Sequence, residues 1–252
     1  MTSPSSTSVA SKVLALLGAF DADHRELTLT ELARRAGLTL STAQRRASEL
    51  AAWGALERTD AGRYRVGLRL WEVGSLAPRG LGLREVALPF LEDLYVVSRE
   101  NVQLAVREGT EAVFVERIAG RSAVRVLTRV GGRFALHATG VGLVLLAHAP
   151  PEVFDQVVRA GLASYTPATI TDPAALRGTL AGVRRDGYAV SRGAVTEDAL
   201  SVAAPITDAG GHVVAAVSLV VAIDGARPQA LAPLVRAAAR GISRAYATYG
   251  DR

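Results

Sequence analysis

Apolar positions recur along this chain with two periods, and the change of period marks its elements. Val9, Val13, Leu16, Leu17 and Phe20 repeat at helical spacing behind Ser8, which predicts a first helix with a serine cap. Residues 29–50, LTELARRAGLTLSTAQRRASEL, predict two short helices joined by a tight turn. Thr28 and Glu31 have the spacing of a capping box, and Gly37 follows as a stop where a left-handed backbone is needed. Thr39 caps the second helix, whose Ala43, Ala47 and Leu50 share one face. The segment ALERTDAGRYRVG then switches to the strand period and predicts a hairpin turning at Asp60-Ala61-Gly62.

A short helix is predicted over residues 68–76, after which Pro78, Gly80 and Gly82 interrupt the pattern. The domain boundary is placed there, giving a disordered tail at 1–7, a first domain at 8–77 and a second at 78–252. Val86, Phe90, Leu91, Leu94 and Val97 make a long amphipathic helix of residues 83–97, positioned as a linker and dimer element. A hairpin turning at Glu108-Gly109-Thr110 follows, then AVRVLTRV as a third strand, a loop over 131–136 and a buried helix over 139–148. Residues 173–185 form a helix, 188–191, 200–205 and 212–223 are strands, and 228–249 is a closing helix. Strands with helices laid on the sheet predict a sensor-type domain rather than a doubly wound nucleotide fold.

Composition narrows the class. With 252 residues and 49% hydrophobic content the chain can bury one large core or two ordinary ones. It has no cysteine, which excludes disulfides, thiolate metal sites and a cysteine nucleophile. The start, MTSPSSTS, lacks a secretory pattern, and the apolar run at 140–149 is too short to span a bilayer, so a soluble cytoplasmic protein without membrane contact is expected. The net charge of +5 is modest, but residues 34–69 hold eight arginines against Glu49, Glu57 and Asp60. A basic patch around a helix-turn-helix matches the phosphates of double-stranded DNA.

On the second helix of that pair, Thr39, Ser41, Thr42, Gln44, Arg45, Arg46 and Ser48 are the candidate DNA contacts, the short side chains letting the helix settle into a major groove. Arg63, beside the hairpin tip, is the candidate wing contact with phosphate or minor groove. Three helices and a basic hairpin together describe a winged helix-turn-helix.

The motifs ELARRAGLTLSTAQR, WGALER, GRYRVGLRLWEVG, GGRFALHATGVGLVLLA, YTPATITDPAAL, VRRDGYAV and SVAAPITDAGGHVVAAVSL, in this order, resemble the IclR family of bacterial transcriptional regulators. The resemblance spans nearly the whole chain. It implies an α+β protein: an N-terminal winged helix-turn-helix, a linker helix and a C-terminal GAF-like α/β effector-binding domain. It also implies homodimers, or dimers of dimers, on palindromic operators, with repression as the expected sign. The chain departs from the family pattern at Arg46 and Ala47, where two leucines are usual. It departs again at Leu143, Ser191 and Ser201, where lysine, aspartate and cysteine occur in other members. Those departures imply an effector different from that of the best-known members, and Arg46 is expected to snorkel or to shift the helix slightly.

The loop at 131–134, with Arg133, leads to a helix start at Gly140 and Val141 whose free N–H groups suit an anion or carbonyl. Ser191, Ser201 and Ser218 lie on three strand segments, and the resemblance places them around the ligand together with Gly140 and Val141. Leu143 and Leu145 are expected to supply apolar walls. The expected effector is a small, partly apolar metabolite bearing a carboxylate or carbonyl. His24, His137, His148 and His212 are scattered, and no P-loop, nucleophile elbow or complete dinucleotide fingerprint is present. A His137–Ser201 pair has no orienting acid. Neither an enzyme nor a cofactor or metal is expected. A DNA-binding protein whose second domain only oligomerises stays open as the alternative.

Overall fold

The computed structural model describes residues 8–21, 23–77, 81–120 and 123–249. The tail 1–7 and the interruption at Pro78 and Gly80 lie outside the described residues. The chain divides into two compact units, Met1–Ala77 and Pro78–Arg252.

The first unit runs α1 (Val9–Leu17), β1 (Glu26–Leu27), α2 (Leu29–Arg35), α3 (Leu40–Trp53), β2 (Leu56–Arg58), β3 (Tyr64–Val66) and α4 (Leu68–Gly74). The starts of α1, α2 and α3 each use a side-chain cap that relieves an unpaired N–H, whereas α4 starts at Gly67 without one. Ser8 accepts from Ser11 N–H, Thr28 and Glu31 close a full capping box, and Thr39 accepts from Thr42 N–H. Gly37, at φ +65°, makes the turn between α2 and α3. Leu16, Leu32, Ala43, Ala47, Leu56 and Tyr64 close one small core, joined by Val13, Leu17 and Phe20. The polar stretch before the helix pair also contributes a strand. β1 pairs antiparallel with β3, Glu26 opposite Arg65 and Leu27 opposite Tyr64, so the wing has three strands in the order β1-β3-β2. Two residues are too few for a period, and only the tertiary pairing defines β1. α4 buries none of its side chains, and Leu68, Trp71, Val73 and the following Leu76 are all exposed.

The second unit runs α5 (Leu81–Ser98), β4 (Asn101–Glu108), β5 (Glu111–Ile118), β6 (Arg133–Ala135), a 3₁₀ turn at Leu136–Ala138, α6 (Gly140–Ala147), α7 (Pro151–Ala160), α8 (Pro173–Asp186), β7 (Ala189–Arg192), β8 (Ala199–Thr207), β9 (Val213–Ala222) and α9 (Pro228–Tyr249). One antiparallel sheet, ordered β6-β5-β4-β9-β8-β7, carries helices on both faces. Strand alternation assigns the faces. On β8, Leu200, Val202, Ala204 and Ile206 pack with α5 and α9, whereas Ala203 faces the core around α6 and α8. α6 is apolar on every side and every one of its residues is buried, as a helix sandwiched between sheet and helix requires.

Three expectations change. AVRVLTRV forms no strand, and residues 123–130 cross the sheet as irregular chain. The expected loop at 131–136 instead contains the edge strand β6, which pairs with β5 through Ala112 opposite Phe134. The stripe on α5 is largely turned inward: Leu91 and Leu94, with Leu83 and Ala87, are buried against this unit's own sheet and α9, Val86 and Phe90 are half-buried, and Val97 stays exposed. At roughly 2 kcal/mol per fully buried leucine, the stripe gains more here than any exposed position offers.

Candidate nucleic-acid interface and cavity

α3 presents two faces because its apolar residues recur every three to four positions. Ala43, Ala47 and Leu50 are buried, while Ser41, Gln44, Arg45 and Ser48 form one exposed stripe. No ion pair engages Arg45 among the described residues, so its guanidinium is available to an acceptor. Thr39 and Thr42 are occupied with the cap. The Thr39 hydroxyl accepts from Thr42 N–H and donates to the Thr42 hydroxyl at 2.9 Å.

Two of the expected contacts are placed otherwise. The Arg46 side chain is only 12% exposed and donates to both carboxylate oxygens of Glu49 at 2.7 Å. It lies one position from the buried Ala47, so it folds along its own helix instead of standing out from it. Arg63 is turned away from the hairpin tip. It donates to Glu31 Oε2 and to the Glu26 carbonyl, both at 3.2 Å. The Glu31 carboxyl is held below the usual range, first by the Thr28 N–H and then by the Thr28 hydroxyl, with the neighbouring Arg63 adding to the effect. The cation beside the tip is Arg58, whose guanidinium lies next to Gly62.

The second unit contains a cavity that is partly open to solvent, about 440 Å³ when the open space at its mouth is counted. Its floor is the α6 side of the sheet, with Gln103, Ser191, Ser201 and Val220, and one wall is the start of α6 at Thr139, Gly140 and Val141. Residues 126–128 and 194–196 complete it. Ser191 and Ser201 sit directly opposite each other on β7 and β8, so alternation sends both hydroxyls into the same space. Thr139 uses its hydroxyl on Gly142 N–H, and the N–H groups of Gly140 and Val141 have no partner among the described residues. A side chain on Gly140 would put its Cβ 2.6 Å from Ser201 Oγ, so glycine permits this approach.

Gly140, Val141, Ser191 and Ser201 are therefore brought together, and three expected partners are not. Arg133 lies on β6 and pairs with Glu111 at 3.2 Å, outside the cavity. Leu143, like Leu145, is buried in the core packed around α6 and does not line the cavity. Ser218 shares the cavity face of the sheet, paired with Gln103 and Ala203, but it is fully buried beneath the lining and its hydroxyl has no partner. Gln103 and Thr128 were not read from the sequence as site residues. Gln103 does carry a signal: with Asn101 it is one of two amides at alternate, buried positions of a strand otherwise apolar through Val106.

Among the described residues no helix is long and apolar enough to cross a membrane, and no group of three or more His, Asp or Glu could hold a metal. Family models match the chain twice: the IclR helix-turn-helix domain over residues 9–60 and the bacterial transcriptional regulator IclR C-terminal domain over residues 77–244. The chain belongs to the IclR family. It is 36% identical to the HTH-type transcriptional regulator BhcR of Paracoccus denitrificans, over 86% of this chain and 80% of that one. It is 34% identical to the HTH-type transcriptional repressor AllR of Klebsiella pneumoniae, over 73% and 69%. A crystal structure of an IclR homolog from Microbacterium hydrocarbonoxydans, complexed with 4-hydroxybenzoate, superposes with a TM-score of 0.91 at 40% identity, covering 96% of this chain and all of that one. Like these relatives, this IclR-family chain is a DNA-binding transcriptional regulator.

Proposed function

We propose that this regulator is a cytoplasmic, ligand-responsive repressor: a homodimer, or a pair of dimers, that binds a palindromic operator and is controlled by a small molecule in the second unit's cavity. The observation that carries the reading is the meeting of two opposed serine hydroxyls with two unpaired N–H groups in a largely apolar cavity. Such donors suit a carboxylate or carbonyl, and Val126, Leu127, Val195 and Val220 suit an apolar body. Among the described residues no charged side chain lines the space, so a metabolite with a single polar end fits better than a polyanion. An aromatic acid such as 4-hydroxybenzoate, bound by the Microbacterium homolog, is the first compound to try. Two hydroxyls without an adjacent base support binding, not catalysis.

A two-fold dimer matched to a palindrome needs a shared surface. The exposed Leu68, Trp71 and Leu76 on and after α4, with Leu14 on α1, supply an apolar one that the first unit leaves uncovered. The test is a thermal-shift and calorimetric titration of 4-hydroxybenzoate and related acids against the wild type and Ser201→Leu. The reading expects binding that the leucine abolishes. A leucine variant that binds as tightly as the wild type sinks it, and a domain that binds none of these acids favours the purely oligomerising alternative.

A further inference from the structure

The walls of the cavity are not equally restrained. The sheet floor and α6 are regular structure. Residues 193–198 are tied by main-chain bonds, Gly193 N–H to Ala199 O, Ala199 N–H to Thr196 O and Ile223 N–H to Asp198 O. Two buried threonines add to this, Thr166 donating to Gly193 O and Thr169 to Ala194 O, both at 2.6 Å. Residues 124–130 are tied less: the one main-chain bond to them among the described residues is a turn bond from Gly132 N–H to Arg129 O at 2.9 Å. None of their N–H groups meets a main-chain carbonyl among the described residues.

What holds this strap is three side chains reaching from the sheet. Asn101 donates to Val124 O at 2.8 Å, Arg117 to Thr128 O at 3.1 Å, and Gln103 to the Thr128 hydroxyl at 2.5 Å. Two of the three end on Thr128, which is the strap's one buried residue. Beside it, Leu127 lines the cavity yet is 65% exposed, and Val130 is 57% exposed. Burial lowers the Arg117 pKa, and its Nε has no partner, so that anchor already bears a desolvation penalty. The strap is thus a segment with few buried apolar contacts and few bonds, the combination that marks low local stability.

We propose that residues 123–130 form a cover that opens to admit the effector and shuts over it, with the Gln103–Thr128 bond as the latch. The inference rests on the effector reading of this cavity. Gln103 is suited to the part because its amide lies at the cavity floor and at the strap together: it senses the space and holds the cover. When a ligand with an apolar body fills the cavity, Leu127 gains a surface to pack on, so the shut state is favoured by the ligand's differential contact with it. The departing cover exposes Arg125 and Arg129, already on the outer side, to a protease that needs an extended chain.

The experiment uses the full chain and trypsin, following cleavage after Arg125 and Arg129 by mass spectrometry. Without ligand, these cuts are expected at a rate that hardly changes with urea below the unfolding transition, since opening is local. Thr128→Val, which keeps the shape and removes the hydroxyl, should cut about ten-fold faster with an unchanged Tm, and Thr128→Ser should behave as wild type. Saturating 4-hydroxybenzoate should slow both cuts at least about ten-fold. Cleavage that follows global unfolding, or a valine variant indistinguishable from wild type, overturns the latch. If calorimetry shows 4-hydroxybenzoate bound while the cuts continue unslowed, the cover does not shut over the effector, though the effector reading stands. If calorimetry shows no binding, that reading fails for this acid, and the ligand-free cuts still decide the latch.

Discussion

Ser201 Oγ occupies the space that a side chain on Gly140 would need, 2.6 Å from the position of its Cβ. Alanine at 140 must therefore turn the hydroxyl out of the cavity, and it still meets Ser201 Cβ at 3.1 Å. Gly140→Ala is expected to cost roughly 1 kcal/mol of stability and to weaken effector binding as much as Ser201→Ala does. In the double variant the two losses should not add, because both remove the same hydroxyl. Additive losses in a calorimetric double-mutant cycle would separate the two residues.

Arg45 stands on the exposed stripe of α3 beside Gln44 without an ion pair. Arg45→Ala should weaken operator binding by ~1–3 kcal/mol and relax preference at one base position, as loss of a bidentate guanine contact does. A randomised operator library measures this. Equal loss on every sequence would make Arg45 a phosphate contact only.

The wing makes a contrast between two arginines. Arg63 is committed to the Glu31 carboxylate and the Glu26 carbonyl, whereas Arg58, beside the tip, has no ion pair among the described residues. Arg58→Ala should lower the slope of log affinity against log salt by about one unit, and Arg63→Ala should leave it unchanged. The reverse result would mean that DNA draws Arg63 off its carboxylate.

Asp21 joins the end of α1 to α2. The His24 side chain, ahead of smaller contributions from the Asp23 and His24 N–H groups, holds its carboxyl at about 2, and Arg35 pairs with it as well. A depressed carboxylate stabilises the fold above its ordinary value of 3.8, and that contribution is lost as pH falls through about 2. Unfolding of the first unit, followed by Trp fluorescence in urea, should therefore become easier between pH 4 and pH 2. Asp21→Asn should flatten that acid dependence. An equally steep profile in the variant would place the effect on other carboxylates.

Trp71, 66% exposed on α4, is the largest side chain of the apolar surface assigned to the dimer. Trp71→Glu should shift the protein toward monomer in equilibrium sedimentation and weaken binding to a full palindrome more than to a half-site. A dimer of unchanged strength would move the interface elsewhere.

Local chemistry along the chain determined most of the secondary structure. Ser8, Thr28, Glu31 and Thr39 cap helices, Gly37 turns the chain and Ala43, Ala47 and Leu50 face inward because caps, positive φ and helical period are properties of a few adjacent residues. The serines at 191 and 201 were visible as polar breaks in apolar strands. Their direct opposition was decided by the register of β7 on β8, which is a long-range choice. The same holds where the reading went astray. AVRVLTRV has the composition of a strand, but with β6 paired to β5 it became a strap tied by Asn101, Gln103 and Arg117. Arg63 and Arg133 were each claimed by a carboxylate that the fold brought near, Glu31 and Glu111, whereas Arg46 pairs with Glu49 three residues along the same helix, a local match that the spacing already held. A sequence states which side chains are charged. Which charges remain free for a ligand depends on neighbours that only tertiary packing supplies.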